Sequence, residues 1–377
     1  MRLERATVHG GFLLTGVATT MLGPILPGIS AQWSLNDAQA GQFFAAQFLA
    51  ALAGSLVSGR MGAWLGWRRA MALGFALMAG GSAGLGAPDR IVALGAVACY
   101  GAGIGLVVPS ANLLVSAWNP GRRAPALNIL NFVWCIGAVA APPLIALLTA
   151  GGAPIGFLAG LAALLAATAL ILGISPDQTH ERSPADDPHD RSAEALVWLT
   201  AVMLFLYVGV ENSIAGWLPS YAMRARGLSE MYRAAAQATF WGAILVGRLF
   251  APIALRRLSA HRLIVVGLCV SSAAMALLLG AVNLAMLAGG ALLAGAGLAA
   301  VFPTVLAMFT ARAGAVTARA TGIVFGAASL GGAAIPWIVG VASTELGGLR
   351  AGLAVPLICV LAMIGIEMRI GSRSVYT

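Results

Sequence analysis

The stretch FLYVGVENSIAGWLPSY, residues 205–221, places a carboxylate inside an apolar segment that runs from about residue 195 to residue 223. A segment of this length is typical of a helix that spans a membrane. Glu211 and Asn212 lie near its middle, among glycines and a proline that loosen the helix. An ionisable side chain inside a membrane costs several kcal/mol unless it faces a partner or water, so Glu211 is a candidate functional residue. The alternative is a structural carboxylate satisfied by neighbouring hydroxyls or by an arginine.

The composition also indicates a membrane protein. Of the 377 residues, 60% are hydrophobic and 9% are charged, and the mean hydropathy is +0.90. Soluble domains carry about 25% charged residues, so a soluble enzyme is excluded. The net charge of +9 comes from arginines in short segments between apolar runs. Such arginines orient a chain in the membrane, and no nucleic-acid partner is expected.

Twelve apolar segments divide the chain into two halves around a polar stretch. We predict an all-α membrane protein with twelve transmembrane helices in two pseudo-symmetric six-helix bundles. The predicted domains are an N-terminal bundle at 1–174, a cytoplasmic linker at 175–194 and a C-terminal bundle at 195–377. The predicted spans are 7–29, 38–59, 69–87, 91–117, 124–149, 153–174, 195–222, 234–256, 262–281, 283–310, 317–343 and 350–369.

The two halves repeat each other. Glycines and prolines of the first half recur 194 residues later, with Gly101, Gly103, Pro109, Gly137 and Pro142 matching Gly295, Gly297, Pro303, Gly331 and Pro336. Gly59-Arg60 recurs 188 residues later as Gly247-Arg248. A parallel repeat is typical of transporters that hold their substrate near the midplane between the halves. As the counterpart of Arg60, Arg248 is expected to snorkel to the inner membrane surface.

The arginines predict the orientation of the chain. With the N-terminus inside, sixteen arginines fall in cytoplasmic segments and five fall outside. This bias predicts a multi-pass protein of the bacterial inner membrane with both termini in the cytoplasm. Arg224, Arg226 and Arg233 in one predicted outer loop are discordant, and the sequence offers no explanation for them.

The chain resembles the major facilitator superfamily. Gly-Arg followed by Arg-Arg after spans two and eight is similar to a signature of that superfamily, although Ser58 and Gly59 stand where an acid is usual. Within the superfamily it resembles the fucose permease branch. The matching stretches are Gly16-Val-Ala18 with Leu26-Pro27, Gln39-Ala-Gly41, Ala102-Gly-Ile-Gly105 with Asn112, Leu127-Asn128 with Ile136-Gly-Ala138, and Tyr207-Val-Gly-Val-Glu211.

That resemblance implies sugar transport coupled to protons, with sodium-linked glucose carriers among the relatives. The sequence departs from the fucose permease pattern at two functional positions. The acid expected in span one falls on Gly23, and the acid expected in span four falls on Val108. Either coupling has moved to Glu211, or the protein is an uncoupled facilitator, or the substrate differs.

The polar residues within the spans are compatible with a sugar. Sugar hydroxyls donate and accept hydrogen bonds, so their sites use amides together with aromatic faces for the ring. The predicted substrate-binding residues are Thr20, Gln47, Asn112, Asn128, Asn131, Trp134, Asn212, Gln237, Trp241 and Trp337, and the predicted proton-coupling residue is Glu211. For each amide, the alternative is a hydrogen bond between helices that holds the bundle together. For the tryptophans, the alternative is core packing.

No catalytic constellation, metal-ligand spacing or nucleotide motif emerges from the sequence, so we expect neither an enzyme nor a cofactor. Energy is then expected from a proton gradient, or from a sodium gradient, and the protein is expected to be a monomer in the lipid bilayer. Two other functions stay open. One is a proton-antiport exporter of drugs or metabolites, and the other is a non-transporting receptor or scaffold.

Overall fold

The computed structural model describes residues 2–119, 122–149, 154–174, 191–226, 229–312 and 318–372, and regular structure in these ranges is entirely helical. Fifteen helices follow one another in this part of the chain. In the first half they are α1 (Arg2–Thr20), α2 (Leu22–Gln32), α3 (Asp37–Leu65), α4 (Trp67–Gly84), α5 (Arg90–Trp118), α6 (Arg123–Leu148) and α7 (Ile155–Ile174). In the second half they are α8 (Arg191–Arg226), α9 (Glu230–Ala254), α10 (Ala260–Leu279), α11 (Leu284–Leu298), α12 (Val301–Arg312), α13 (Ala318–Glu345), α14 (Leu349–Gly352) and α15 (Ala354–Ser372).

Each predicted span falls on one helix or on two consecutive helices. Ten spans in the described ranges are long and apolar enough to cross a membrane, and α1 and α2, which meet at a 40° bend, make an eleventh. The remaining predicted span, 69–87, corresponds to α4, an 18-residue helix whose first turn carries Arg68 and Arg69. The predicted linker at 175–194 lies largely outside the described residues.

The chain divides into two compact units, each with its own core. Unit 1 contains Met1–Ser34 and Gln42–Pro184, and unit 2 contains Leu35–Gly41 and Ala185–Thr377. In unit 1, α1 packs on α6, and α4 packs on both α5 and α7. In unit 2, α8 packs on α13, and α10 packs on both α11 and α15. These pairs occupy equivalent places in the two halves, so the helix packing repeats as the sequence does.

The repeated glycines lie where helices approach most closely. A Cβ on Gly101 would meet the carbonyl oxygen of Gln47, and a Cβ on Gly295 would meet that of Phe240. Gly331 likewise faces the backbone of Phe205. Small residues let helix backbones approach closely in membrane proteins. Because the two halves contain equivalent close contacts, the glycines at these contacts recur 194 residues apart.

The first turn of α3 is fixed by both local and distant contacts. The Asn36 Oδ1 accepts from the Gln39 backbone N–H at 2.8 Å, and the Gln39 Oε1 accepts from that of Asn36 at 3.2 Å, which together form a capping box. The backbone N–H of Ala38 donates to the Thr344 hydroxyl of α13 at 3.0 Å. These contacts explain why Leu35–Gly41 belongs to unit 2, although the rest of α3 belongs to unit 1.

Candidate functional site

A buried carboxylate on α8 forms the centre of the candidate site. Tyr207 and Glu211 lie four residues apart, so their side chains share one face of the helix. The Tyr207 hydroxyl donates to Glu211 Oε1 at 2.8 Å. Tyr207 is 0% exposed and Glu211 is 8% exposed. The carboxylate is therefore held in the interior of unit 2, in the middle of a membrane-spanning helix.

Arg248 of α9 is the cation beside this carboxylate. Its Nη2 lies 3.4 Å from Glu211 Oε1, and its side chain is 25% exposed. The prediction that Arg248 snorkels to the membrane surface is therefore wrong. Its repeat counterpart Arg60 is exposed. The difference has a physical cause, because attraction to a buried carboxylate is strong at low dielectric and draws the guanidinium inward.

Arg248 belongs to a polar stripe along α9. Gln237, Trp241 and Arg248 are separated by four and seven residues, which places them on the same helix face. Gln237 is 1% exposed and Trp241 is 2% exposed. The Trp241 ring packs edge-on against Phe240 with centroids 5.5 Å apart. A guanidinium, an amide and an indole thus lie along one face of a single helix, which is suited to hydrogen-bonding a polar solute.

The other predicted residues of unit 2 have different surroundings. Asn212 donates through Nδ2 to the Val208 carbonyl of its own helix at 2.8 Å. Trp337 of α13 is 42% exposed, and the Trp217 indole N–H donates to the neighbouring Pro336 carbonyl at 2.9 Å. Asn212 and Trp337 stay predicted ligands of a substrate.

In unit 1, Gln47 is the predicted residue with the most complete set of partners. Its Nε2 donates to the Thr19 carbonyl at 3.1 Å, and its Oε1 accepts from the Tyr100 hydroxyl at 3.0 Å. Gln47 is 1% exposed. It therefore joins α1, α3 and α5, in agreement with the structural alternative given for the amides.

The remaining residues of unit 1 bond to their own helices or are exposed. Thr20 donates to the Gly16 carbonyl at 3.0 Å, Asn112 to Val108 at 2.7 Å and Asn131 to Leu127 at 2.9 Å. Asn128 is exposed and Trp134 is half-buried. Side chains that bond to the preceding helical turn can turn towards a ligand, so these positions also stay predictions.

A second ion pair in unit 2 explains one of the discordant outer arginines. Arg224 donates to both oxygens of Asp37, with each distance 2.6 Å, and the Ser343 hydroxyl donates to Asp37 Oδ2 at 2.5 Å. Arg233 has a separate contact, because its Nη1 lies 2.9 Å from Met223 Sδ. The side chain of Arg226 lies outside the described part of the chain.

Sequence reasoning missed Arg248 and the Asp37–Arg224 pair. For Arg248, the available signal was a single arginine inside an apolar span, next to a span with a single acid. For Asp37 and Arg224, 187 residues separate the partners, and nothing in the sequence indicates their proximity. Within the described ranges, no cluster of three His, Cys, Asp or Glu side chains has the arrangement of a metal site.

Known transporters resemble this chain in sequence and in helical architecture. The chain is 27% identical to the glucose/galactose transporter of Brucella abortus over 391 aligned residues, which cover 96% of this chain and 92% of that protein. The crystal structure of the nucleoside transporter NupG matches with a TM-score of 0.79 at 12% identity and covers 100% of both chains. The fucose transporter FucP in the outward conformation matches with a TM-score of 0.65 at 18% identity and covers 97% of both chains.

Because these structures are only 12% and 18% identical to the chain, the matches show a common fold and nothing more. The family description of the Major Facilitator Superfamily matches residues 8–336, which is most of the chain. The protein is therefore a multi-pass membrane transporter, not an enzyme, and it belongs to the major facilitator superfamily.

Proposed function

We propose that the protein is a secondary active transporter that moves a hexose or a related sugar across the bacterial inner membrane by alternating access, coupled to protons at Glu211. The sugar is supported by the resemblance to the fucose permease branch and by the relative named as a glucose/galactose transporter. The observation that carries the coupling is the buried Glu211 carboxylate, bonded to Tyr207 and loosely paired with Arg248.

The geometry gives a mechanism for coupling. When Glu211 is ionised, it accepts the Tyr207 hydrogen bond and attracts the Arg248 guanidinium. When a proton from the aqueous phase binds Glu211, the ion pair is lost and the guanidinium can donate to solute oxygens instead. A sugar that binds Arg248 then favours the protonated carboxyl group, and by thermodynamic linkage the proton favours sugar binding by the same factor.

Several features of this proposal come from the sequence. The arginine distribution supports the placement of both termini in the cytoplasm. The transporter is proposed to act as a monomer, and the driving force is a proton gradient, with sodium as the alternative ion. Glu211 is the coupling group in this scheme because Gly23 and Val108 stand where the fucose permease pattern has its acids.

The test of coupling is uptake by the purified protein in liposomes with an imposed pH gradient. Glu211→Gln is expected to abolish pH-driven accumulation, with a loss of at least about tenfold, and to retain counterflow exchange, because a neutral amide cannot release a proton. Glu194→Gln is the matched control, since Glu194 is an exposed acid of the same helix. Wild-type uptake that is indifferent to pH and to uncouplers would contradict proton coupling.

A thermal-shift screen tests the substrate class separately. A specific ligand stabilises the folded protein by mass action, so hexoses and deoxysugars are expected to raise the melting temperature. Stabilisation by amphipathic cations alone would favour the drug-exporter alternative. Stabilisation by nucleosides alone would move the substrate away from sugars and leave the coupling test unaffected.

A further inference from the structure

Besides Glu211 and Asp37, a further carboxylate of unit 2 is buried. Glu367 of α15 is 2% exposed. His261 of α10 lies beside it, with Nδ1 3.0 Å from Glu367 Oε1. The His261 side chain is 30% exposed, so one end of the pair reaches the surface and the other end is enclosed.

The surroundings of Glu367 are almost wholly apolar. The carboxylate borders a small cavity formed by α8, α10, α12 and α15, with Met203, Ile264, Val305 and Phe309 among its lining residues. Thr200 supplies the other polar side chain of that lining and is 4% exposed. A lone ionised carboxylate is costly in such a place, because little in the lining can replace its hydration.

The described charged groups near this end of the unit lie at the surface. Exposed positions are Glu194 on α8, Arg256 and Arg257 after α9, Arg262 on α10 and Arg369 on α15. Without a proton shared between them, Glu367 and His261 carry one buried negative charge. With one proton the pair is neutral overall, either as carboxylate with imidazolium or as carboxylic acid with imidazole. A neutral hydrogen-bonded pair is cheaper to bury than a net charge, so the cavity favours uptake of one proton.

We propose that Glu367 and His261 form a proton-binding site at the end of unit 2 where α10 begins and α15 ends. The proton is taken from water at the exposed imidazole and is held between Nδ1 and the carboxylate. On release it returns to water through the same imidazole, and no other bond forms or breaks. This end is the one that the arginine distribution predicts to be cytoplasmic.

The site goes beyond the proposed sugar transport and does not depend on it. It lies towards the same face of α8 as the transport carboxylate, because Thr200, Met203, Tyr207 and Glu211 are separated by three, four and four residues. Thr200 and Glu211 are about 16 Å apart along the helix axis, at 1.5 Å per residue. The site is thus placed to exchange protons with one aqueous compartment independently of Glu211.

The experiment measures protons bound by the purified protein without substrate. A pH-indicator dye reports the protons taken up as the solution is brought in steps from pH 8 to pH 5. Glu367→Gln is expected to take up its proton at lower pH than the wild type, because the remaining imidazole has lost the carboxylate charge that favours its protonated form. His261→Asn, whose amide nitrogen replaces Nδ1, is expected to shift proton uptake in the same direction.

Matched controls test whether the effect is specific to this pair or would follow the loss of any glutamate or histidine. Glu194→Gln replaces an exposed carboxylate, and His9→Asn replaces a histidine whose Nδ1 lies 2.8 Å from a backbone carbonyl oxygen, that of Arg5. The pH dependence of the melting temperature is the second readout. It distinguishes a variant that has lost the proton-binding site from one that is only less stable at every pH. The wild-type melting temperature is expected to fall as the pH rises, because the bound proton stabilises the folded state.

Both pair variants should flatten this dependence, whereas both controls should retain it. If Glu367→Gln takes up protons over the same pH range as Glu194→Gln and keeps the wild-type pH dependence of the melting temperature, the pair is an ordinary hydrogen bond between helices and the proposal is overturned. Loss of sugar uptake in Glu211→Gln, or its absence, leaves this outcome unchanged.

Discussion

The two ion pairs that unit 2 makes with arginine differ in how completely the carboxylate is bound. Asp37 receives two hydrogen bonds of 2.6 Å from Arg224 and one of 2.5 Å from Ser343. Glu211 receives one of 2.8 Å from Tyr207 and one long contact of 3.4 Å from Arg248. Asp37 also stands at the N-terminus of α3, where the helix dipole favours an anion, whereas Glu211 lies in mid-helix.

This difference distinguishes a firmly bound carboxylate from the one that we propose to exchange a proton. A bidentate pair with a further hydroxyl engages both carboxylate oxygens of Asp37, so this residue fixes the first turn of α3. A carboxylate with a single distant cation can replace that cation by a proton with a smaller loss of bonding. The looser geometry therefore suits Glu211 to a coupling role.

The largest expected effect comes from removing the charge of the tighter pair. Asp37→Asn should lower the free energy of unfolding by about 2 kcal/mol, because it weakens both guanidinium bonds and leaves the Ser343 donor with a poorer acceptor. Thermal unfolding in detergent measures the change. Asp89→Asn is the control, since Asp89 caps α5 through the backbone N–H groups of Ile91 and Val92, and asparagine caps equally well. Equal losses in the two variants would remove the distinction between a paired acid and a capping acid.

A double-mutant cycle compares the two pairs directly. The coupling energy between Asp37→Asn and Arg224→Gln should reach about 1–2 kcal/mol, whereas that between Glu211→Gln and Arg248→Gln should stay below about 1 kcal/mol. The longer contact is the reason for the smaller coupling. Both cycles use the same unfolding measurement, so a larger value for Glu211 and Arg248 would invert the comparison.

The smallest expected effect concerns a single hydroxyl group. Ser343→Ala should cost about 1 kcal/mol of stability, because one hydrogen bond to a charged group is lost while Arg224 still binds Asp37. Sugar uptake measured per folded protein should be unchanged. If uptake falls as far as in Glu211→Gln, then Asp37 participates in transport and is not simply structural.

The sequence alone predicted the features that depend on local composition. Apolar length identified the spans, and the recurrence of Gly101, Gly137, Gly295 and Gly331 predicted a repeat, which the close helix contacts explain. The cost of burying an acid pointed to Glu211, and the structure does bury it. The family was predicted as well, because its motifs are local.

What the sequence could not predict was the choice of partners across helices. Spacing along a helix shows which residues share a face, but not which side chain of another helix lies opposite. For this reason the sequence shows neither the contacts of Gln47 with Thr19 and Tyr100 nor the contact of Arg248 with Glu211. Such pairings depend on packing that only the folded chain defines.

The placement of Asp37 has a consequence for biosynthesis. Its cation follows 187 residues later, which at about 5–20 residues per second takes a ribosome roughly 10–40 s to synthesise. Throughout that interval the start of α3 has emerged without the cation that neutralises it in the finished protein. The amino-terminal half is therefore synthesised before Arg224. The contact between Arg224 and Asp37 at the start of α3 can form only once translation has reached Arg224.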